Sequence, residues 1–146
     1  MTVYVDASVL AAYYCPEPLS VVAERTLRSV AAPTISEPTP VEFASAVSRK
    51  IRKKSLSREN GVRVMAQFEA HGEEGYSDVL SLKARDYRLA KSKLGQFQGT
   101  LRTLDALHLS AAEAAAASVL TADRRLATEA RNLGLPVKLL VIGRVV

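Results

Sequence analysis

Four acids stand where acids can do chemistry: Asp6, Glu42, Asp105 and Asp123. Each lies at the junction between an expected strand or loop and an expected helix. Carboxylates that converge on one crevice repel each other and resist ionisation unless a cation joins them. An oxygen-only set with open water positions suits Mg2+ or Mn2+ rather than zinc. Such an ion activates water and neutralises charge on a phosphoryl group. Taken singly, each acid also has a structural explanation. Asp6 and Asp123 are good helix N-caps, and Glu42 sits three residues after Thr39, as in a capping box. Asp105 suits a first helical turn.

The elements that position these acids can be read in order. Val3-Tyr4-Val5 is a β-prone run ending in Asp6, with helix-forming sequence directly after it. Helices are expected over 8–14 and 17–30, broken by Pro16 and Pro18, with Val21, Val22, Leu27 and Val30 as a loose inward face. Ala32–Ser36 is a strand. Thr39 and Pro40 open a helix that becomes basic at Arg49, Lys50, Arg52, Lys53 and Lys54. Ser57 caps the next helix, to about His71, with Val62, Met65 and Phe68 inward. Tyr76–Leu82 could be a short strand. Lys83–Gln98 reads as a helix with Tyr87, Ala90, Leu94 and Phe97 on one face, stopped by Gly99. Thr103–Ser118 is a helix with Leu104, Leu107, Ala111 and Ala115 aligned. Val119–Thr121 and Val137–Val141 are strands around a helix at Arg124–Leu133. Strands alternating with helices predict an α/β fold, a short parallel sheet covered on both faces. The stretch 39–98 is expected to form a mostly helical arm beside it. In such a sheet Asp6, Asp123 and the entry to Glu42 share one edge, where ligands bind; Asp105 starts a returning helix, so its address is less fixed.

Length and composition agree with one domain spanning 1–146. Hydrophobic residues make up 48%, enough to build a core. The formal charge is +5 and the pI about 9.6, which suits an anionic partner such as nucleic acid. Cys15 alone cannot form an internal disulfide or a thiolate metal site, and a reduced, cytoplasmic setting fits. No basic leader precedes the first strand, and no run approaches a membrane span.

Four segments in fixed order carry a family resemblance: Val5-Asp6-Ala7-Ser8-Val9-Leu10, Glu42-Phe43-Ala44-Ser45-Ala46, Leu104-Asp105-Ala106-Leu107-His108-Leu109 and Leu120-Thr121-Ala122-Asp123-Arg124-Arg125-Leu126. Together they resemble the motifs of PIN-domain ribonucleases, and the compact length is most similar to VapC-type toxins of toxin–antitoxin pairs. The resemblance implies a PIN-like three-layer fold and Mg2+- or Mn2+-dependent endonucleolytic hydrolysis of RNA by metal-activated water. It also implies homodimerisation and inhibition by a small VapB-type antitoxin. Carried onto this chain, Asp6, Glu42, Asp105 and Asp123 would hold the metal directly or through water. Ser8 and Thr121 would steady carboxylates or waters, with backbone capping equally open to them. Arg49, Lys53, Lys54 and Arg124 are the candidates for RNA backbone contacts. His108 fits a packed, hydrogen-bonded imidazole better than a general base, and His71 is expected at the surface. Tyr13, Tyr14 and Tyr76 could stack on bases.

Rival readings remain open on sequence. An aspartate-nucleophile phosphatase wants a second Asp where Ser8 stands. A phosphoacceptor receiver domain wants a neighbouring acidic pair and a late Lys. A PIN domain turned binding scaffold would not need all four acids, and an RNA-processing nuclease without an antitoxin would keep them.

Overall fold

The computed structural model describes residues 2–146. Its elements run β1 (Val3–Val5), α1 (Ala7–Tyr14), α2 (Ser20–Arg28), β2 (Pro33–Ser36), α3 (Pro38–Arg52), α4 (Arg58–Glu73), β3 (Asp78–Leu80), α5 (Ala84–Leu94), α6 (Thr103–Ala114), β4 (Ser118–Thr121), α7 (Arg124–Asn132), β5 (Val137–Val141) and β6 (Arg144–Val145). The sheet order is β3-β2-β1-β4-β5-β6, parallel except for β6, which turns back along β5 through Gly143.

Alternation along the short central strands sends side chains to two cores. Val5 and Leu120 face α1–α4, where they join Val9, Phe43, Val47 and Val64. Tyr4 and Val119 face the other way, onto Leu109, Ala112, Leu126 and Ala130 of α6 and α7. Three layers follow from that two-sided burial. Cys15 is buried among apolar neighbours, as its type suggests.

The stretch 39–98 is less of an arm than its helical pattern implies. β3 joins the sheet as its edge strand, and α3 and α4 bury Phe43, Val47 and Val64 in the first core. Several inward faces are also rotated from the expected ones. In α5 the buried residues are Asp86 and Ala90, while Tyr87 is 55% exposed. Asp86 turns inward because its carboxylate accepts the Lys83 backbone N–H at 2.8 Å and so caps the helix. That helix stops at Leu94, and Phe97 lies beyond it in the left-handed region (φ 55°), 94% exposed. In α4, Gly61 and Val64 face in and Val62 faces out; a Cβ at Gly61 would stand 2.5 Å from Ile51 Cδ1, so α3 and α4 approach closely there. Val21 and Leu104 are likewise exposed.

No helix among the described residues is long and apolar enough to cross a membrane.

Candidate active site

The strand order fixes where a crevice must open. The chain builds β1, β2 and β3 outward on one side, then returns to place β4 and β5 on the other. β1 and β4 are therefore neighbours from which the chain departs in opposite directions, a topological switch point. Asp6 follows β1 and Asp123 follows β4, so both stand at its carboxyl edge.

Both acids cap the helices that begin there. Asp6 Oδ2 accepts the Ser8 N–H at 3.3 Å, and Asp123 Oδ1 accepts the N–H groups of Arg125 and Leu126 at 2.9 and 3.3 Å. Both candidate acids are thus also helix caps. Ser8 and Thr121 tie the two strand ends together. The Ser8 hydroxyl accepts the Ala122 N–H at 2.9 Å and donates to Asp6 Oδ2. The Thr121 hydroxyl accepts the Asp123 N–H at 3.0 Å and donates to the same Oδ2 at 2.9 Å. Each hydroxyl takes a backbone proton and gives its own, so Asp6 is held in one orientation through Oδ2.

Glu42 reaches the same region from α3 by a different route than a capping box. The helix starts at Pro38, preceded by Glu37, so Glu42 lies past the first turn. The Thr39 hydroxyl is buried and accepts the Ser36 N–H at 3.1 Å, closing the strand-to-helix corner instead. Glu42 Oε1 is hydrogen-bonded to His108 Nε2. His108 Nδ1 in turn meets the Tyr4 hydroxyl at 2.5 Å, and that hydroxyl meets Ser36 Oγ at 2.6 Å. This buried chain is the packed histidine expected from its Ala- and Leu-rich helix. It pulls α6, β1 and β2 toward Glu42. Burial pushes the Tyr4 phenol up to about 12 and lowers His108, which keeps the imidazole neutral near pH 7.

Burial, followed by the charges of Asp6 and Asp105, pushes Glu42 up to about 7. Asp6 and Asp105 are thus the two acids whose charges reach Glu42. The elevated value also makes a stability prediction. An unfolded glutamate ionises near 4.5, so between that pH and 7 the unfolded chain has released a proton that the folded chain retains. Glu42 thus lowers the stability of the ion-free protein as pH rises through this window. Glu42→Gln is expected to be more stable than the parent at pH 8 in chelator, by roughly 1–2 kcal/mol, and indistinguishable from it at pH 4. Thermal melts at the two pH values check this; equal stability at pH 8 would remove the raised Glu42.

Asp105 is the fourth candidate. Its Oδ2 accepts the Arg102 N–H at 3.1 Å, capping α6, and accepts Arg125 Nη1 at 2.8 Å. Arg125 Nη2 lies 3.8 Å from Asp123 Oδ2, so one guanidinium lies between Asp105 and Asp123. The donors fit a hard divalent cation in kind: all are carboxylates, with Asp6 buried and the others partly so. Among the described residues, however, no three His, Cys, Asp or Glu side chains stand together as a ligating group. Each acid is held by an internal partner: hydroxyls on Asp6, an imidazole on Glu42, a guanidinium on Asp105 and Asp123.

Glu129 has a role that the sequence reading does not assign. It is buried, and its Oε1 accepts the Thr100 N–H at 2.9 Å and hydroxyl at 3.0 Å. A Cβ at Gly99 would lie 2.5–2.9 Å from the same carboxylate, and Gly99 has φ 68°, so a side chain there would be strained and would push Glu129 aside. This pins the loop that leads into Asp105. The available signal is Glu129 standing three residues after buried Leu126, on the inward stripe of α7. His71 is another correction. It is half-buried, bonded to the Tyr14 hydroxyl at 2.7 Å and stacked on Tyr76 with centroids 4.3 Å apart, because Tyr14 and Tyr76 together line its site. Tyr14 also packs on Phe43 and Phe68, so its ring is not free for a base.

The basic candidates are separated from the acids. Arg49, Lys53 and Lys54 are exposed near the far end of α3. About eleven residues divide Glu42 from Lys53, roughly 16 Å along a helix. Arg124 is exposed at the start of α7, beside Asp123.

The PIN domain family matches residues 3–131. This chain belongs to the PIN domain family. Its fold is similar to VapC20 of Mycobacterium tuberculosis, a sarcin-ricin loop cleaving toxin, at 15% identity and a TM-score of 0.72, covering 92% of this chain and 96% of that one. It is also similar to VapBC2 from Rickettsia felis, solved with a promoter DNA fragment, at 16% identity and a TM-score of 0.66, covering 97% and 100%. FitAcB from Neisseria gonorrhoeae gives 15% identity and a TM-score of 0.61, covering 93% and 96%. No curated protein matches in sequence.

The strand order also separates this fold from the receiver reading. A receiver sheet runs 2-1-3-4-5, whereas this one runs 3-2-1-4-5 before the added β6. The phosphatase reading fails locally: Ser8, at the place of the second Asp, is committed to holding Asp6.

Proposed function

We propose that this chain is a Mg2+- or Mn2+-dependent endoribonuclease, the toxin of a type II toxin–antitoxin pair. The observation that carries the reading is the address of the acids. Asp6 and Asp123 flank the β1/β4 switch point, and the Arg125 guanidinium links Asp105 to Asp123. Asp6, Glu42, Asp105 and Asp123 would hold the ion, which when bound supplies Lewis acidity and charge neutralisation at the scissile phosphate.

The chain's own groups prepare that chemistry. Ser8 and Thr121 fix the Asp6 carboxylate without reorganisation during reaction. The Tyr4–His108 pair fixes Glu42. Arg124 would meet a phosphate at the crevice, and Arg49, Lys53 and Lys54 would meet the strand further along. Lys53→Ala with Lys54→Ala should then reduce the slope of log affinity against log salt by about 0.7 for each phosphate no longer neutralised. An unchanged slope would clear both lysines of RNA binding.

The partner reading rests on the likeness to toxin–antitoxin complexes. The groove between α3 and α4, lined by Val47, Ile51, Val62 and Met65, is the apolar surface we assign to a small antitoxin. A partner there would cover Val62, which is 64% exposed and otherwise unexplained. We further propose a homodimer, checked by light scattering. The functional test is expression of the chain in a host cell. Growth arrest is expected, relieved by co-expressing a small protein encoded beside it. An active nuclease that leaves growth untouched would be an RNA-processing enzyme instead.

A further inference from the structure

We infer that Arg125 is a built-in competitor of the divalent cation, holding Asp105 and Asp123 together until an ion displaces its guanidinium. The inference rests on the cation-dependent reading above.

Arg125 reaches three groups at this place. Nη1 donates to Asp105 Oδ2 at 2.8 Å and to the Thr100 carbonyl at 3.1 Å, and Nη2 lies 3.8 Å from Asp123 Oδ2. The Thr100 carbonyl belongs to the loop that Glu129 pins, so the guanidinium has a fixed seat rather than a passing ion pair. Asp105 and the Arg125 side chain are both mostly shielded from solvent, which strengthens the attraction over that of a surface pair. A cation drawn to Asp105 and Asp123 would compete with Arg125 for Asp105 Oδ2 and for the space beside Asp123 Oδ2.

The same seat places a positive charge between two acids. Asp105 and Asp123 would repel across the crevice, and Arg125 supplies the charge that offsets this. Arg124, its neighbour, is exposed and bonds neither carboxylate through its side chain. Two adjacent arginines of equal charge therefore have different consequences for ion binding.

The test is calorimetric titration of MnCl2 into the chelator-stripped full chain, comparing the parent with Arg125→Gln, Arg125→Lys and Arg124→Gln. Arg125→Gln is expected to bind Mn2+ about tenfold more tightly than the parent. Arg125→Lys should fall between them, because a lysine keeps the charge but cannot span both acids. Arg124→Gln, which removes the same charge next door, should change affinity by less than about threefold. In chelator Arg125→Gln should melt lower than the parent, and Mn2+ should raise its melting temperature by more. If Arg125→Gln does not fold without the ion, the intermediate affinity of Arg125→Lys carries the test. A parent that binds Mn2+ while the Arg125 variants bind no more tightly would overturn the competitor role and leave the metal site standing. Absence of Mn2+ binding in every variant and the parent would overturn the cation-dependent reading, and this inference with it.

Discussion

Asp6→Asn is expected to lower the rate of RNA cleavage about 10³-fold or more while leaving the circular-dichroism spectrum native. The substitution is nearly isosteric. Asn is as good an N-cap as Asp, so α1 should start where it does now. Its amide oxygen can still accept the Ser8 and Thr121 hydroxyls, which keeps the link between the ends of β1 and β4. Only the charge is lost, and with it a donor to a divalent ion. Removing one of several mutually repelling acids should also leave the ion-free protein at least as stable as the parent. Loss of cleavage with unchanged or higher melting temperature is thus the signature of a chemical role. Cleavage that survives within about tenfold of the parent would take Asp6 out of the mechanism.

Phe43→Ala should act in the opposite way, through stability. Phe43 is fully buried in the first core, with its ring 4.4 Å from that of Phe68 and 5.5 Å from that of Tyr14. Truncation leaves a cavity among α1, α3 and α4 and is expected to cost roughly 3–5 kcal/mol. For a chain of this size the melting temperature should fall by about 10 °C. Urea unfolding should show a lower midpoint with an unchanged slope. Glu42 precedes Phe43 on α3, so the same loss loosens the platform from which Glu42 reaches His108. A stability within about 0.5 kcal/mol of the parent would mean that α3 is anchored by other groups than these rings.

The strand ends that carry Asp6 and Asp123 are legible in the sequence. The β-prone run into Asp6 placed both a strand and a carboxylate, because burial and capping act on adjacent residues there. The Leu120-Thr121-Ala122-Asp123 segment did the same for β4 and α7. Ser57 and Asp123 as N-caps were readable for the same local reason. Tyr87, Phe97 and Val62 were not, since a helical period gives the angle between apolar residues but not which side meets a neighbour. In α5 that side was chosen by Asp86, whose capping bond turned an acid inward. The edge strand β6 is not legible, because two residues carry too little pattern.

The site itself was legible as a set of acids and not as a set of bonds. Glu42 fits a capping box on spacing alone, whereas long-range packing of α6 against β1 and β2 gives it His108 as partner. Nothing in local spacing reports a bond between residues 66 positions apart. Arg125 sits beside Asp123 in sequence, yet its importance lies in Asp105, 20 residues away.

Asp6, Glu42, Asp105 and Asp123 serving one cation is the claim on which the mechanism stands. Crystals of the protein soaked in MnCl2 and measured at the manganese absorption edge test it directly. An anomalous peak is expected at the carboxyl edge of β1 and β4, within coordination distance of Asp6 and at least one other of these acids. A peak bound only elsewhere on the surface, with the four carboxylates still on their internal partners at saturating Mn2+, would contradict it.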